Sequence, residues 1–206
     1  SAENISFAAT GAGKVSAAIS TLELTRQLHP DWIIQLGCAG AYPGSGLGIE
    51  DVAIANVEIF ADEGVETPEG FLSMKDLELP QASRDGELIF NEVPVDFPTA
   101  ETIQEIRSSL GQQSRIEAGL FCTVSLGSGT DAASRRAEER WNPLAESMEG
   151  AAAALVAWRQ RVRFSEIRGI SNMTGDRNRE SWKIAEACEA AAAAAGVWIE
   201  RERTQA

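Results

Sequence analysis

Trp32-Ile33-Ile34-Gln35-Leu36-Gly37-Cys38-Ala39-Gly40 is the stretch that decides the fold class. Trp32 to Leu36 is a mostly apolar run of strand length, and small residues follow it at once. Small residues at the carboxyl end of a strand let a ligand approach the backbone, and the crevice beyond such ends is where open α/β sheets bind ligands. Gly44, Gly46 and Gly48 prolong the stretch. Gly37, Cys38, Ala39 and Gly40 therefore read as a substrate loop, or, in the plainer reading, as a flexible connection.

Working outward, further apolar runs of strand length occur at Ile5 to Ala9, Val52 to Phe60, Ile116 to Val124 and Phe164 to Ile170. Between them lie segments of helical period. One follows Gly13 with Val15, Ile19, Leu22 and Leu28 as its apolar stripe. Others run from about Glu149 to Arg161 and from about Glu180 to Ala195, the last rich in alanine. Strands alternating with helices give an α/β chain with helices packed on a sheet. From Asp62 to Glu101 the period fails, with Pro68, Pro80, Pro94 and Pro98 interrupting it. That segment reads as a long excursion over one end of the sheet, covering a binding site or meeting a second subunit. With 206 residues, residues 1–206 are expected to form a single domain.

A net charge of -13, from 18 Lys and Arg against 31 Asp and Glu, argues against a nucleic-acid partner. No apolar run approaches the length of a bilayer span, and residues 1–10 lack a basic segment followed by an apolar one, so no membrane partner is expected. Cys38, Cys122 and Cys188 show neither CxxC nor CxxH spacing, which disfavours zinc and disulfides and suits a cytoplasmic protein.

Gly11-Ala12-Gly13-Lys14 forms a glycine turn between a strand and a helix, but departs from both GxGxxG and the P-loop. Glu149 opens an apolar helix. There it is either an N-terminal cap or a carboxylate able to accept hydrogen bonds from a vicinal diol such as that of a ribose. Ser171 and Asn172 close a strand. They read as turn chemistry, or as an amide that can serve a purine at N7 and a 6-oxo group together. His29, the single histidine, stands at a helix end before Pro30, and no catalytic triad can be built around it.

Taken together and in order, GAGKVSAA (11–18), LGCAG (36–40), ESMEGAA (146–152) and IRGISN (167–172) resemble the nucleosidase branch of the purine nucleoside phosphorylase and methylthioadenosine nucleosidase superfamily. From Phe121 to Trp182, through TVSLGSGT, SMEGAA, EIRGISN and GDRN, the likeness is to its futalosine hydrolases. The resemblance implies a three-layer fold, a twisted mixed β-sheet flanked by helices, assembled as a homodimer or higher homo-oligomer. It implies a small-molecule nucleoside as substrate and no cofactor or metal. Asn172 and Glu149 are the implied catalytic residues. Gly37, Cys38, Ala39, Gly40, Ser125, Met148, Ser171 and Arg177 join them as implied substrate contacts, with Arg177 the candidate for the substrate's distal carboxylate.

Adenine-specific relatives carry Asp where this chain has Asn172, and an amide suits a 6-oxopurine such as the hypoxanthine of futalosine. Phosphorylases of the superfamily hold phosphate with an arginine just before the glycine loop, where this chain has Gln35-Leu36-Gly37-Cys38. Water is the expected nucleophile. In the family a first strand and a glutamate-bearing loop precede the segment at which this sequence opens. Glu3 lies on the wrong side of GAGK to replace that glutamate, so either this is a truncated or processed piece of a longer product or the protein has lost its general base, a contribution of about 10²- to 10⁴-fold. The alternatives are a methylthioadenosine/S-adenosylhomocysteine nucleosidase and a non-catalytic nucleoside-binding protein.

Overall fold

The computed structural model describes residues 5–111, 114–175 and 177–205. The helices are α1 (Lys14–Leu28), α2 (Ala100–Leu110), α3 (Asp131–Trp141), α4 (Gly150–Gln160) and α5 (Ile184–Gln205). The strands are β1 (Trp32–Ala41), β2 (Val52–Phe60), β3 (Gly64–Thr67), β4 (Gly70–Ser73), β5 (Ala82–Arg84), β6 (Glu87–Ile89), β7 (Glu92–Pro94), β8 (Ile116–Thr123), β9 (Ala145–Ser147) and β10 (Arg163–Met173). The main sheet has the order β10-β1-β9-β8-β2-β7, and a further pairing of β10 with β2 closes every strand but β7 into a ring. β1 runs parallel to β10, β8 parallel to β2 and β9, while β9 meets β1 and β2 meets β10 antiparallel.

All the ring strands contribute to one cluster of small side chains around two large ones: Ala39, Ala41, Ala53, Ala55 and Ala145 with Phe121 and Ile170. A ring this narrow leaves little room beyond methyl groups. On one outer face α4 lays Ala151 to Ala154, Ala157 and Trp158 against Phe60, Val93 and Phe164. On the other, α5 and α2 bury Ile106, Ala191, Ala194, Ala195 and Trp198 against Val52, Ile54 and Ile167. Helix, sheet and helix make the three layers expected. Trp198 meets Trp32 edge-on at 5.1 Å, an aromatic pair worth about 0.5–1.5 kcal/mol beyond its buried area.

The sequence reading of β2, β8 and α4 agrees with the structure to within two residues, and four regions differ. Residues 5–12 carry no strand pairing, with Ile5 and Phe7 51% and 88% exposed. An apolar run becomes a strand only where a neighbouring strand offers its backbone, and none does so here among the described residues. Gly37 to Gly40 are not a loop after a strand: β1 continues through them, hydrogen-bonded to β10 up to Ala41. The apolar stripe of α1 faces outward, with Val15, Ile19 and Leu28 exposed, while Ala17, Thr21 and Thr25 pack inward. The final helix begins at Ile184, after a short 3-10 turn at Arg179–Ser181.

The proline-rich excursion is more ordered than its sequence suggests. It forms hairpins β3–β4 and β5–β6 and then pairs β7 with β2 at the open edge of the sheet. Buried Asn91 ties it down, its Nδ2 donating to the carbonyls of Phe60 and Glu63 and its Oδ1 accepting from Met74 N–H. Arg140 of α3 stacks on Phe71, and Arg84 stacks on Trp158 of α4. The excursion therefore packs on α3 and α4.

Candidate active site

The carboxyl ends of the parallel neighbours β1 and β10 lie side by side, and β9, paired with the last residues of both β1 and β8, delivers the chain into α4 beside them. In the β1–β10 register Cys38 faces Gly169 and Ala39 faces Ile170, and after a one-residue irregularity Gly40 faces Asn172. β9 crosses the end of β1 antiparallel, with Glu146 opposite Gly40. Glu149 follows and stands at the N-cap of α4.

Glu149 is not the self-capping residue that its spacing alone allowed, for its side chain makes no cap hydrogen bond to α4. Its Oε1 accepts from the backbone N–H of Gly13 at 2.8 Å, and its Oε2 from Arg168 Nη2 at 3.3 Å and Met148 N–H at 3.4 Å. The glycine turn before α1 thus donates to a carboxylate on another segment. Arg168 is buried and also donates to Glu166 Oε1 at 2.6 Å and to the Cys38 carbonyl at 3.1 Å. Burial alone would lower its basicity, but the Glu166 and Glu149 carboxylates together hold the guanidinium above its usual range.

At the other end, Ser171 Oγ donates to Asn172 Oδ1 at 2.8 Å and approaches the Ala39 carbonyl at 3.3 Å. Asn172 Nδ2 donates to the Met173 carbonyl at 2.9 Å. The Met173 carbonyl, which can only accept, fixes which end of the amide is the donor, and the serine hydroxyl then donates to the other end. An amide nitrogen carries two protons, and Met173 uses one of them.

The glycines of the 36–40 stretch make room for side chains of the protein itself. A Cβ on Gly37 would lie 2.5 Å from Arg168 Nη1, and one on Gly40 would lie 3.1 Å from Asn172 Nδ2 and 3.1 Å from Thr174 Cγ2. Gly37 admits the arginine that holds Glu149, and Gly40 admits the amide.

The remaining candidates are more dispersed. Cys38 and Ala39 act through their carbonyls, as acceptors for Arg168 and Ser171. Met148 is partly exposed beside Glu149. Ser125 is exposed just beyond β8, its N–H bonded to Asp62 Oδ2 at 2.6 Å, while Asp62 also pairs with Lys14 next to Gly13. Arg177 is exposed and lies over the indole of Trp182 at 5.0 Å, and Lys183 N–H bonds the Ser171 carbonyl at 3.0 Å. That bond anchors the far end of the 177–183 segment next to Asn172. Glu3 and Asp176 lie outside the described residues.

Sequence reasoning missed the support behind these groups. Glu58, Glu166 and Arg168 lie behind Glu149, and Glu146 accepts from buried Tyr42 and from the N–H and hydroxyl of Ser128. Carboxylates inside apolar runs were the available signal: Glu58 in VAIANVEIF and Glu166 in FSEIRGI. Such residues are rarely buried unless paired. Two shallow surface depressions, of about 560 Å3 along α2 and α5 and about 450 Å3 beside Trp158, contain none of the candidate residues.

A closed mixed sheet between helix layers, with a carboxylate and an amide beside the carboxyl ends of β1 and β10, defines a nucleoside-phosphorylase-like α/β protein. The chain belongs to the Phosphorylase superfamily, whose sequence profile it matches over residues 1–200. It is similar to a futalosine hydrolase of Thermus thermophilus, 31% identical over 90% of this chain and 76% of the relative. It is also similar to a futalosine hydrolase of Acidothermus cellulolyticus, 32% identical over 71% of this chain and only 57% of that relative. Among solved structures, the 5'-methylthioadenosine/S-adenosylhomocysteine nucleosidase of Neisseria meningitidis in complex with methylthio-immucillin-A superposes with a TM-score of 0.76 at 20% identity, covering 93% of this chain and 79% of that one. At that identity the likeness speaks for the fold.

Proposed function

We propose that the protein is a nucleosidase that hydrolyses the N-glycosidic bond of futalosine, a step of menaquinone biosynthesis, releasing hypoxanthine and dehypoxanthinyl futalosine. The observation that carries the reading is the amide at the end of β10, where an adenine-specific relative has a carboxylic acid. The Met173 carbonyl fixes Nδ2 as the donor end, and the second proton of that nitrogen is the one we assign to the base. Hypoxanthine departs with negative charge growing on N7 and O6, and a preset donor stabilises that charge without reorganising. The two futalosine hydrolases at 31% and 32% identity support the same substrate.

Glu149 binds the sugar. The N–H of Gly13 and the guanidinium of Arg168 hold its carboxylate in place, and the hydroxyls of a ribose are the donors it can take in addition. A carboxylate near the anomeric carbon also favours the positive charge of an oxocarbenium-like transition state. Support for water rather than phosphate comes from Arg168, the arginine nearest the glycine stretch. It is paired with Glu166 and Glu149 and has no charge left for a dianion. Ser125, Met148 and Arg177 are assigned to the substrate's periphery, with Arg177 for its distal carboxylate. The outward stripe of Val15, Ile19 and Leu28 on α1 supports a homo-oligomer, and we assign the protein to the cytoplasm.

The test is hypoxanthine release from futalosine with and without phosphate. Equal rates are expected. A strict phosphate requirement would make the enzyme a phosphorylase, and faster release of adenine from methylthioadenosine would replace the substrate. Hypoxanthine binding without turnover would leave a nucleoside-binding protein.

A further inference from the structure

Three carboxyl groups and one guanidinium share the space behind α4, more negative charge than the single cation neutralises. Glu58 and Glu166 are both fully buried. They converge on the first residue of α4, where a Cβ on Gly150 would run into Glu166 Oε2 and Glu58 Oε2. Glu58 Oε1 and Glu166 Oε2 have no donor from any other group. Two ionised carboxylates in that position would leave both oxygens unsatisfied and place like charges in contact, away from water. One proton between them satisfies both oxygens and removes the repulsion. Glu166 is the member that accepts from the Arg168 guanidinium and so stays ionised, which leaves the proton on Glu58, raised well above the usual carboxylate range by burial and then by Glu166.

The pair is wired to Glu149 from two directions. Through side chains, Glu166 Oε1 accepts from Arg168 Nε, and Arg168 Nη2 donates to Glu149 Oε2. Through the backbone, Thr123 Oγ1 donates to Glu58 Oε2 at 2.9 Å and accepts from Ala151 N–H at 2.8 Å, fastening the first turn of the helix that Glu149 caps. The circuit thus joins β2, β8, β10 and α4 and ends on the Glu149 carboxylate and on the backbone of Ala151 two residues further on. A second negative charge on Glu58 would compete with Glu149 for Arg168 and push against Glu166.

We propose that Glu58 and Glu166 form a proton-sharing carboxyl pair that positions Glu149, with Glu58 the protonated member, so that ionising Glu58 loosens the grip on the sugar. The proposal rests on the reading of Glu149 as the sugar-binding carboxylate. The groups facing Glu58 are Thr123 and the buried Cys122 thiol from β8, Glu166 and Arg168 from β10, and the N-terminal backbone of α4. A neutral amide can imitate a protonated acid here, donating to Glu166 while accepting from Thr123.

The experiment compares Glu58→Gln, Glu58→Ala and the unaltered protein. Glu58→Ala is expected to lower kcat/KM for futalosine roughly tenfold or more, and Glu58→Gln to restore most of it, as outer-layer groups that orient a ligand commonly do. Because the raised Glu58 loses its proton only as pH rises, the unaltered enzyme should show an alkaline fall in kcat/KM through a rising KM, and Glu58→Gln should lack that limb. Infrared spectra supply an arm that needs no substrate: a protonated-carboxyl carbonyl band at neutral pH in the unaltered protein, lost in Glu58→Gln. An alkaline limb unchanged in Glu58→Gln, or an infrared spectrum without that band, would overturn the pair. Absent futalosine turnover in the unaltered protein with the band present would instead overturn the assigned substrate.

Discussion

The two ends of the candidate site are built differently. Glu149 is held by groups distant in sequence, the N–H of Gly13 136 residues away and Arg168 19 residues away. Asn172 is held by its own neighbours Ser171 and Met173. The Glu149 end, which we assign to the sugar, is a dense network of buried charge that only the finished fold can assemble. The base end is a local polar turn carried on a strand. A locally built group can be exchanged with local consequences, whereas a change in the network should spread into stability.

Arg168→Met offers the largest test of that difference. It leaves Glu166 and Glu149 without their cation, and the loss of one partner from a buried pair costs about 3–5 kcal/mol, a fall in thermal midpoint of roughly 10 °C. Thermal unfolding followed by circular dichroism would measure it. A shift of a degree or two would mean that water already screens the network and that the sugar end is no more rigid than the base end.

Glu149→Gln comes next, and its effect should fall on activity. Whichever way the new amide turns, its NH2 faces a donor, either Gly13 N–H or the Arg168 guanidinium, and it has lost the charge that favours an oxocarbenium ion. Two charge-assisted hydrogen bonds at about 1.5–3 kcal/mol each put the loss of transition-state stabilisation at about 3–5 kcal/mol. A fall in kcat/KM of less than tenfold would reduce Glu149 to a structural helix-start residue.

Asn172→Asp probes the end we assign to the base and should lower the thermal midpoint less than Arg168→Met does. The new oxygen would face the Met173 carbonyl, 2.9 Å from the present Nδ2, so an ionised Asp meets an acceptor there and another at the O6 of hypoxanthine. Hypoxanthine release should fall by about tenfold, one hydrogen bond's worth, while release of adenine falls less or rises. An unchanged preference between inosine-type and adenosine-type nucleosides would put Asn172 outside the base pocket.

The same contrast explains what could be read from the sequence. β2, β8 and α4 were legible because each is a continuous run whose period or apolar character declares it. Asn172 could be singled out only through the resemblance of IRGISN, since Ser-Asn alone reads as turn chemistry. The hold on Glu149 was not: Gly13, Arg168, Glu166 and Glu58 come from four segments, and no spacing rule links them. β1 was cut short at Leu36 because glycines weaken a strand by composition, and its continuation depends on the β10 backbone alongside. The outward stripe of α1 failed for a related reason, since α1 packs on the alanine-rich α4 and a surface of small side chains admits the small residues of α1, which buries Ala17, Thr21 and Thr25 and leaves Val15 and Ile19 exposed.

The smallest effect, and the sharpest test of the local end, is expected from Gly40→Ala. The added methyl would sit 3.1 Å from both Asn172 Nδ2 and Thr174 Cγ2, so a neighbour must give by a few tenths of an ångström. Thr174 is the less able to move, because its hydroxyl is hydrogen-bonded to Ser134 at 2.6 Å in the interior and its N–H to the Ala41 carbonyl at 2.8 Å. Asn172 must therefore shift. Stability should fall by only about 1 kcal/mol, as for modest overpacking, while kcat/KM for hypoxanthine release falls roughly three- to tenfold through misplacement of the donor. Adding Thr174→Ser keeps a hydroxyl for Ser134 and removes Cγ2, so the double variant should regain part of the loss. If Gly40→Ala lowers the thermal midpoint and leaves kcat/KM untouched, the glycine serves packing alone, and the amide at the base end is less finely placed than the carboxylate at the sugar end.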